Sequence, residues 1–275
     1  MNVGRWLRIG IIGGFGPRAS AHFYRLLVDI CSQRYQAVQD SDYPYVILVS
    51  LASEAVSETG VVHEAVLVRD ITRVLRVFDK LGINVVAIPC NAVYAYLDRF
   101  PKYTQIQLVN LPEEVAIAAS KLQAKDIGVV CSWGLRSTRA YDPYFLAKGI
   151  EVHYPEISTQ ALIDRWILEV MGGCYSTQTT TGLLEVVDTL TRQHDAVVLA
   201  CSEISVLVSS SLLPSNVIDS MYILAKATLE LALRSSSVAT PSPAAGPGPL
   251  SRATCTAASP AVPRPPAAGD DTPLA

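Results

Sequence analysis

The chain contains the sequence Ile-Gly-Ile-Ile-Gly-Gly-Phe-Gly-Pro-Arg at residues 9–18, where an apolar run leads into a glycine-rich loop. A short continuous apolar run bounded by glycine and proline is typical of a fully buried strand. The loop at residues 13–16 lets the backbone approach an anion closely, because glycine has no Cβ. The segment therefore predicts a buried strand, a tight loop and the start of a helix.

Two motifs of the first half of the chain recur in the second half in the same order. The sequence Ile-Gly-Val-Val-Cys-Ser-Trp-Gly-Leu-Arg at residues 127–136 repeats the opening segment at an offset of 118 residues (127 − 9). Val-Val-Ala-Ile-Pro-Cys at residues 85–90 is echoed by Ala-Val-Val-Leu-Ala-Cys at residues 196–201, an offset of 111 residues (201 − 90). The repeats indicate two similar α/β halves, with chance resemblance between short apolar strands as the alternative.

Short β-branched runs alternate with helical periodicity over most of the chain. Apolar residues at helical spacing predict amphipathic helices around residues 24–31 and 67–78. Alternating strands and helices imply parallel sheets covered on both faces, so the predicted fold class is α/β. The predicted strands are residues 7–12, 45–50, 85–88, 107–109, 127–130, 196–200 and 216–218.

Composition favours a small-molecule partner. The net charge of −3 is too small to indicate nucleic acid or an anionic membrane surface as a partner. No run of 18 apolar residues predicts a spanning helix, and the N-terminal residues lack the pattern of a signal peptide. Six widely spaced cysteines and four scattered histidines predict a reduced, cytoplasmic chain without a metal site.

The glycine loop does not match a nucleotide-binding motif. Its spacing is not G-x-G-x-x-G, and no acidic residue ends the second predicted strand as a ribose partner would. A phosphate-binding P-loop and a G-x-S-x-G nucleophile elbow are both absent from the sequence. The sequence therefore gives little support to a nucleotide cofactor.

Cys90 and Cys201 end the second pair of repeated segments, so each follows a predicted strand and precedes a predicted helix. Ligands of open α/β folds bind at that edge of the sheet. The positive end of a helix can lower the pKa of a thiol, which would give a useful thiolate fraction at neutral pH. Asn91 and Ser202 could bind a carboxylate at the same helix starts. A small buried apolar side chain is the commoner role of free cysteine, but the repetition favours a chemical role.

The order of these motifs resembles that of the cofactor-independent aspartate/glutamate racemase superfamily over residues 7–235. The opening strand and glycine loop match, as do Pro89-Cys90-Asn91, Cys201-Ser202-Glu203-Ile204, Gly134, Ser137 and residues 217–220. The resemblance implies two Rossmann-like parallel-sheet domains related by pseudo-twofold symmetry, with the active site between them. It also implies a homodimer, a small-molecule carboxylate substrate and no cofactor.

The same resemblance implies a mechanism, in which the thiolate of one cysteine removes the Cα proton of an amino acid and the thiol of the other protonates the opposite face. Each positioned acid or base contributes about 10²- to 10⁴-fold to the rate. The predicted catalytic residues are Cys90 and Cys201. The predicted substrate-binding residues are Gly14, Phe15, Gly16, Ser50, Asn91, Ala92, Tyr94, Ser137, Ser202 and Glu203.

The chain departs from the superfamily pattern where a side-chain carboxylate would bind. The superfamily motif Cys-Asn-Thr-Ala-His is replaced here by Cys-Asn-Ala-Val-Tyr at residues 90–94. Residues 51–57 lack the arginine, and the region near Gln160 lacks the lysine, that members of the superfamily use to bind a side-chain carboxylate. A buried second carboxylate without a cation costs several kcal/mol, on the order of a lost ion pair. The substrate is therefore predicted to be neither aspartate nor glutamate. The alternatives are decarboxylation or cis–trans isomerisation of a small acid on the same scaffold, or small-acid binding without catalysis.

The domain boundaries follow from the repeats and from a change in composition. Residues 1–110 are predicted to form the first domain and residues 111–235 the second, with the last helix packing back on the first half. Residues 236–275 hold nine of the 17 prolines and no aromatic residue. Such an Ala/Pro-rich tail is predicted to be disordered.

Overall fold

The structure, a computed structural model, describes residues 6–57, 60–208 and 213–233. The predicted tail at residues 236–275 lies outside the described residues. The strands are β1 (Ile9–Gly13), β2 (Val46–Ser50), β3 (Val56–Ser57), β4 (Gly60–Val61), β5 (Val85–Ala87), β6 (Gln107–Leu108), β7 (Asp126–Cys131), β8 (Glu151–His153), β9 (Ala196–Ala200) and β10 (Val217–Asp219).

The helices alternate with these strands. The α-helices are α1 (Pro17–Tyr35), α2 (Glu64–Lys80), α3 (Leu111–Lys121), α4 (Trp133–Thr138), α5 (Asp142–Leu146), α6 (Ile157–Gly172), α7 (Thr177–Gln193), α8 (Ser202–Leu207) and α9 (Ser220–Ala232). Two 3-10 helices span Asp40–Asp42 and Asn91–Arg99. No helix in the part of the chain that the structure describes is long and apolar enough to cross a membrane.

Two four-stranded parallel sheets carry the fold. The first has the order β2-β1-β5-β6 and the second β10-β9-β7-β8. When the four strands of each half are numbered in chain order, both sheets have the strand order 2-1-3-4. The repeated segments therefore occupy equivalent strands, β1 with β7 and β5 with β9. This arrangement confirms the predicted α/β class with two similar parallel-sheet halves.

The first strands of the two sheets share a packing device. β1 and most of β7 are fully buried, as expected for parallel strands covered on both faces. A Cβ at Gly10 would lie 2.5 Å from the ring of Phe78, and a Cβ at Gly128 would lie 2.9 Å from the ring of His194. Each glycine therefore makes room for a ring from the end of the helix that precedes the third strand.

The two predicted helices form, with one correction. All five apolar positions of α2 are buried, at Leu67, Ile71, Val74, Leu75 and Phe78. The predicted apolar face of α1 comprises Tyr24, Leu27, Val28 and Cys31. Leu27 and Cys31 are buried and Val28 is half-buried, but Tyr24 is 47% exposed. Phe23 and Ile30 belong to the buried face instead, and tyrosine tolerates solvent as well as burial.

The seven predicted strands all form with ends shifted by no more than two residues. The sequence did not reveal β8, the edge strand of the second sheet, or the short antiparallel pair β3 and β4. Near the end of the described chain α9 packs against α1 and α3. The backbone N–H of Leu7 donates to the carbonyl of Ala232 at 2.7 Å, which ties the two ends of this region together.

Candidate active site

Cys90 and Cys201 occupy equivalent places in the two halves. Cys90 follows β5 and precedes the 3-10 helix Asn91–Arg99, and Cys201 follows β9 and precedes α8. Both residues have extended backbone, with φ of −151° and −148°. Both line the same cavity of about 150 Å³ at the carboxyl ends of the sheets. The fold thus brings together two cysteines that are 111 residues apart.

The cavity also receives most of the predicted substrate-binding residues. Those that line it are Gly14, Phe15, Gly16, Asn91, Ala92, Ser202 and Glu203. Gly14 and Gly16 have φ of 96° and 94°, conformations that favour glycine. The loop between β1 and α1 therefore needs glycine at these two positions to approach the cavity.

Three predicted residues lie elsewhere. Ser50 ends β2 and is exposed, and it is not among the residues that line the cavity. The Oγ of Ser137 donates to the carbonyl of Gly134 at 3.1 Å, so it closes a turn of α4. Tyr94 is buried, does not line the cavity, and its hydroxyl is an electrostatic neighbour of the Cys90 thiol. Burial raises the pKa of Tyr94 above the ordinary phenol value.

Several lining residues were not predicted from the sequence, namely Pro17, Ser53, Val56, Ser57, Gly60, Ser132, Ile167, Met171 and Ala200. Ser132 could have been found, because it lies 118 residues after Gly14 and so occupies the equivalent loop position in the repeat. Ile167 and Met171 are four residues apart on α6 and look like any apolar helix face. Nothing in their spacing points to a cavity.

Burial dominates the acidity of both thiols. Burial, and after it the nearby carboxylate of Glu203, raise the pKa of Cys90 to about 12. The pKa of Cys201 is raised well above its ordinary value by the same two causes. Backbone N–H groups at the following helix starts act in the opposite direction but are outweighed. The expected lowering of these pKa values is therefore wrong, because loss of hydration outweighs one short helix end.

Glu203 connects the glycine loop to the second cysteine. Its Oε2 accepts hydrogen bonds from the Oγ of Ser202 at 2.8 Å and from the Sγ of Cys201 at 3.5 Å. Its Oε1 lies so close to Gly16 that a Cβ there would overlap it. Burial raises the pKa of Glu203, which makes its carboxylate a stronger proton acceptor than an exposed one.

Asn91 lines the cavity and has a hydrogen-bond donor without a partner. Its Oδ1 accepts a hydrogen bond of 2.5 Å from the hydroxyl of Tyr141, a residue of the second half. Its Nδ2 is buried and has no hydrogen-bond partner in the described structure. A buried N–H₂ without a partner costs about 1–3 kcal/mol, so the site is suited to a ligand that supplies an acceptor.

The rest of the described cavity lining is uncharged. It includes the apolar side chains of Val56, Ile167 and Met171 and several serines, and none of the described lining residues is lysine, arginine or histidine. Glu203 is the single charged side chain among those lining residues. The described lining can therefore hold a ligand carboxylate by hydrogen bonds but offers no cation for a second one.

A cluster of possible metal ligands lies away from the cavity. Atoms of Asp126, His153 and His194 fall within 4.8 Å of one another. Asp126 is the first residue of β7, and His194 lies two residues before the start of β9. The cluster is therefore at the amino ends of these strands, whereas the cavity is at the carboxyl ends. The Nδ1 of His194 is hydrogen-bonded to Asp126 at 2.7 Å, and the two imidazole rings stack at 18°. Nearly parallel rings cannot both direct an in-plane lone pair at one ion, so this is a hydrogen-bonded stack.

Comparisons with known proteins give a consistent result. The sequence model of a family described as Asp/Glu/hydantoin racemase matches residues 12–228. A broad specificity amino-acid racemase, RacX of Bacillus subtilis, is 22% identical over 221 residues, which cover 80% of this chain and 96% of that protein. The fold resembles an aspartate racemase of Picrophilus torridus, with a TM-score of 0.70 and 22% identity over 81% of this chain and 93% of that one. It also resembles an allantoin racemase of Klebsiella pneumoniae, with a TM-score of 0.53 and 15% identity over 84% and 91%.

Proposed function

Because the chain belongs to the Asp/Glu/hydantoin racemase family, we propose that it inverts the Cα centre of a free amino acid, with Cys90 and Cys201 as the two acid–base groups. The observation that carries the proposal is that the two thiols, one from each half, line one cavity. Inversion needs two groups on opposite faces, because a single base would return the proton to the side it left.

The proton transfers follow from this arrangement. One sulfur, as thiolate, takes the Cα proton, and the resulting planar carbanion takes a proton from the thiol on its other face. After one turnover the two sulfurs have exchanged protonation states. The reverse reaction then begins from the other cysteine, so the same pair serves both enantiomers.

A thiolate must first form in a cavity that favours thiols. Cys201 already donates a hydrogen bond to Glu203, and the raised pKa of that carboxyl makes it a suitable acceptor. In the proposal the Cys201 proton moves to the Oε2 of Glu203 as the substrate enters. The α-ammonium group of an amino acid supplies the positive charge that stabilises the new thiolate.

Hydrogen-bond donors hold the α-carboxylate in the proposed complex. The unpartnered Nδ2 of Asn91 is one donor, and the glycine loop lines the same cavity at Phe15 and Gly16. The N–H of Gly14 is already bonded to the Oγ of Ser20 at 2.9 Å. Preorganised donors of this kind also stabilise negative charge that develops on the carboxylate when the Cα proton leaves. They act without a basic side chain.

The substrate proposed here has an uncharged side chain. Val56, Ile167 and Met171 give the cavity apolar contacts, and none of the described lining residues supplies a cation. Burying a second carboxylate in this cavity would cost several kcal/mol, on the order of an unpaired buried charge. The broad specificity in the name of the Bacillus subtilis relative is in keeping with a cavity that lacks a side-chain carboxylate site.

The experiment measures deuterium incorporation at Cα in D₂O, with L- and D-alanine, L- and D-methionine and L- and D-aspartate as substrates. We expect racemisation and exchange of at least one neutral amino acid, and a kcat/KM for aspartate lower by about 100-fold, the effect of roughly 3 kcal/mol. Cys90→Ser and Cys201→Ser should each reduce racemisation by about 10²- to 10⁴-fold.

The control is Cys31→Ser, which changes a buried thiol of α1 that does not line the cavity. It should leave kcat/KM of the folded protein unchanged. Racemisation that continues at the wild-type rate in both active-site variants would exclude the two-cysteine mechanism. Release of CO₂ from a malonate, or loss of maleate, that depends on Cys90 would instead identify one of the alternative reactions.

A further inference from the structure

We propose that Tyr141 is a positioning residue that fixes the orientation of the Asn91 carboxamide, so that its N–H₂ group rather than its oxygen faces the cavity. The inference rests on the proposed function, because the Asn91 carboxamide is the group that is proposed there to donate to the substrate carboxylate. Tyr141 does not line the cavity and acts only through Asn91.

The contact joins the two halves of the molecule. Asn91 begins the 3-10 helix after Cys90, and Tyr141 stands immediately before α5. The Tyr141 side chain is fully buried, and its hydroxyl donates to the Asn91 Oδ1 at 2.5 Å across 50 residues of sequence. A carboxamide held through its oxygen must present its nitrogen on the other side.

The orientation matters because the two ends of a carboxamide have opposite character. An N–H₂ group donates to a carboxylate, whereas a carbonyl oxygen in the same place repels it. Burial raises the pKa of Tyr141 well above the ordinary phenol value, so the hydroxyl keeps its proton and remains a donor at neutral pH. The Nδ2 of Asn91 is correspondingly left buried without a partner.

The effect of the Tyr141 hydroxyl on Asn91 can be measured separately from the packing of the ring. Tyr141 belongs to the apolar core, with its ring 6.4 Å from that of Phe145. Tyr141→Phe keeps the ring and removes only the hydroxyl. The matched control is Tyr144→Phe on α5, whose hydroxyl accepts a weaker hydrogen bond from Asn110 at 3.4 Å and does not reach the cavity.

The first measurement is independent of turnover. In ¹H–¹⁵N spectra of the whole chain, the side-chain amide resonances of Asn91 are assigned by their absence in Asn91→Ala. Tyr141→Phe should shift them more than any other side-chain amide, and Tyr144→Phe should leave them in place. Unchanged Asn91 resonances in Tyr141→Phe would overturn the inference whether or not the protein is a racemase.

The second measurement is kinetic and uses the neutral amino acid that the wild type racemises. Tyr141→Phe should raise KM by roughly 10- to 100-fold with a smaller change in kcat, the effect expected when a carboxylate contact is lost. In the Asn91→Ala background the same substitution should change KM by less than about 2-fold, because there is no carboxamide left to orient. An equal effect of Tyr141→Phe in both backgrounds would show that the hydroxyl acts through general packing. Absence of racemisation in the wild type would refute the proposed function alone and leave the spectroscopic result standing.

Discussion

Gly16 provides a quantitative test of how the glycine loop and Glu203 fit together. Its φ of 94° is unfavourable for any residue with a Cβ, and a Cβ there would overlap the Oε1 of Glu203. Gly16→Ala therefore has two separable costs. Backbone strain should account for about 1–3 kcal/mol of unfolding free energy. Displacement of the carboxylate should break its hydrogen bond with Ser202, a charged hydrogen bond that contributes about 1.5–3 kcal/mol.

Two backgrounds separate these costs. In Glu203→Ala the carboxylate is absent, so Gly16→Ala should cost only the backbone term, about 1–3 kcal/mol. In Glu203→Gln the side chain keeps its size, so the overlap with the new Cβ remains, but the displaced bond with Ser202 is uncharged. Gly16→Ala should then cost the backbone term plus about 0.5–1.5 kcal/mol. The difference between the wild-type and the Glu203→Ala backgrounds is the coupling energy of the contact, expected at about 1.5–3 kcal/mol.

The assay is urea unfolding at neutral pH, followed by far-ultraviolet circular dichroism, on all six proteins of the two cycles. A domain of this size has about 5–15 kcal/mol of stability, so the single variants should remain folded. If Gly16→Ala destabilises the wild type and Glu203→Ala equally, the contact between the loop and the carboxylate does not exist as described. If the coupling energy between Gly16→Ala and Glu203→Gln equals that between Gly16→Ala and Glu203→Ala, the coupling arises from the charge of the carboxylate and not from its overlap with the new Cβ.

Two further predictions concern the protonation of a thiol and the core. Because the folded-state pKa of Cys90 is about 12 and its ordinary value is 9.0, the fold favours the thiol; its contribution is complete below pH 9 and is lost between pH 9 and pH 12. Unfolding free energy should fall in that window by about 1.4 kcal/mol per pH unit more in the wild type than in Cys90→Ser, and equal slopes would contradict the raised pKa. Phe78→Ala should reduce stability by about 3–5 kcal/mol, since the ring is fully buried against Gly10. Val77→Ala at the exposed neighbouring position should change it by less than about 0.5 kcal/mol, and a similar small loss for Phe78→Ala would contradict the packing.

The strands that the sequence revealed are those buried on both faces. Continuous apolar runs such as β9 leave a clear signal because parallel strands in the middle of a sheet contact helices on both sides. β8 left none, since it is an edge strand whose Glu151 and His153 are exposed. β8 forms because it pairs with β7 in the folded chain, and local composition does not encode that pairing.

The candidate site divides in the same way. Repetition of the cysteine motifs was enough to identify Cys90 and Cys201 as equivalent strand ends of two similar halves, and the family resemblance was needed to predict that they share one site. The acidity of the thiols could not be predicted, since it depends on how completely the rest of the chain excludes water from them. Ile167 and Met171 were missed for a related reason: helical periodicity identifies a buried face but not whether that face meets the core or a cavity.

The two halves are alike in strand order but not in the residues beside the two sulfurs. Ala92 and Glu203 lie 111 residues apart, the same offset that relates the two cysteines, so an inert methyl group stands on one side where a carboxylate stands on the other. A racemase with such a site treats mirror-image substrates unequally, with a different kcat and KM for each enantiomer. Thermodynamics nonetheless requires the two values of kcat/KM to be equal, because the equilibrium constant between enantiomers is one. The enantiomer with the lower KM must therefore also have the lower kcat, in the same proportion.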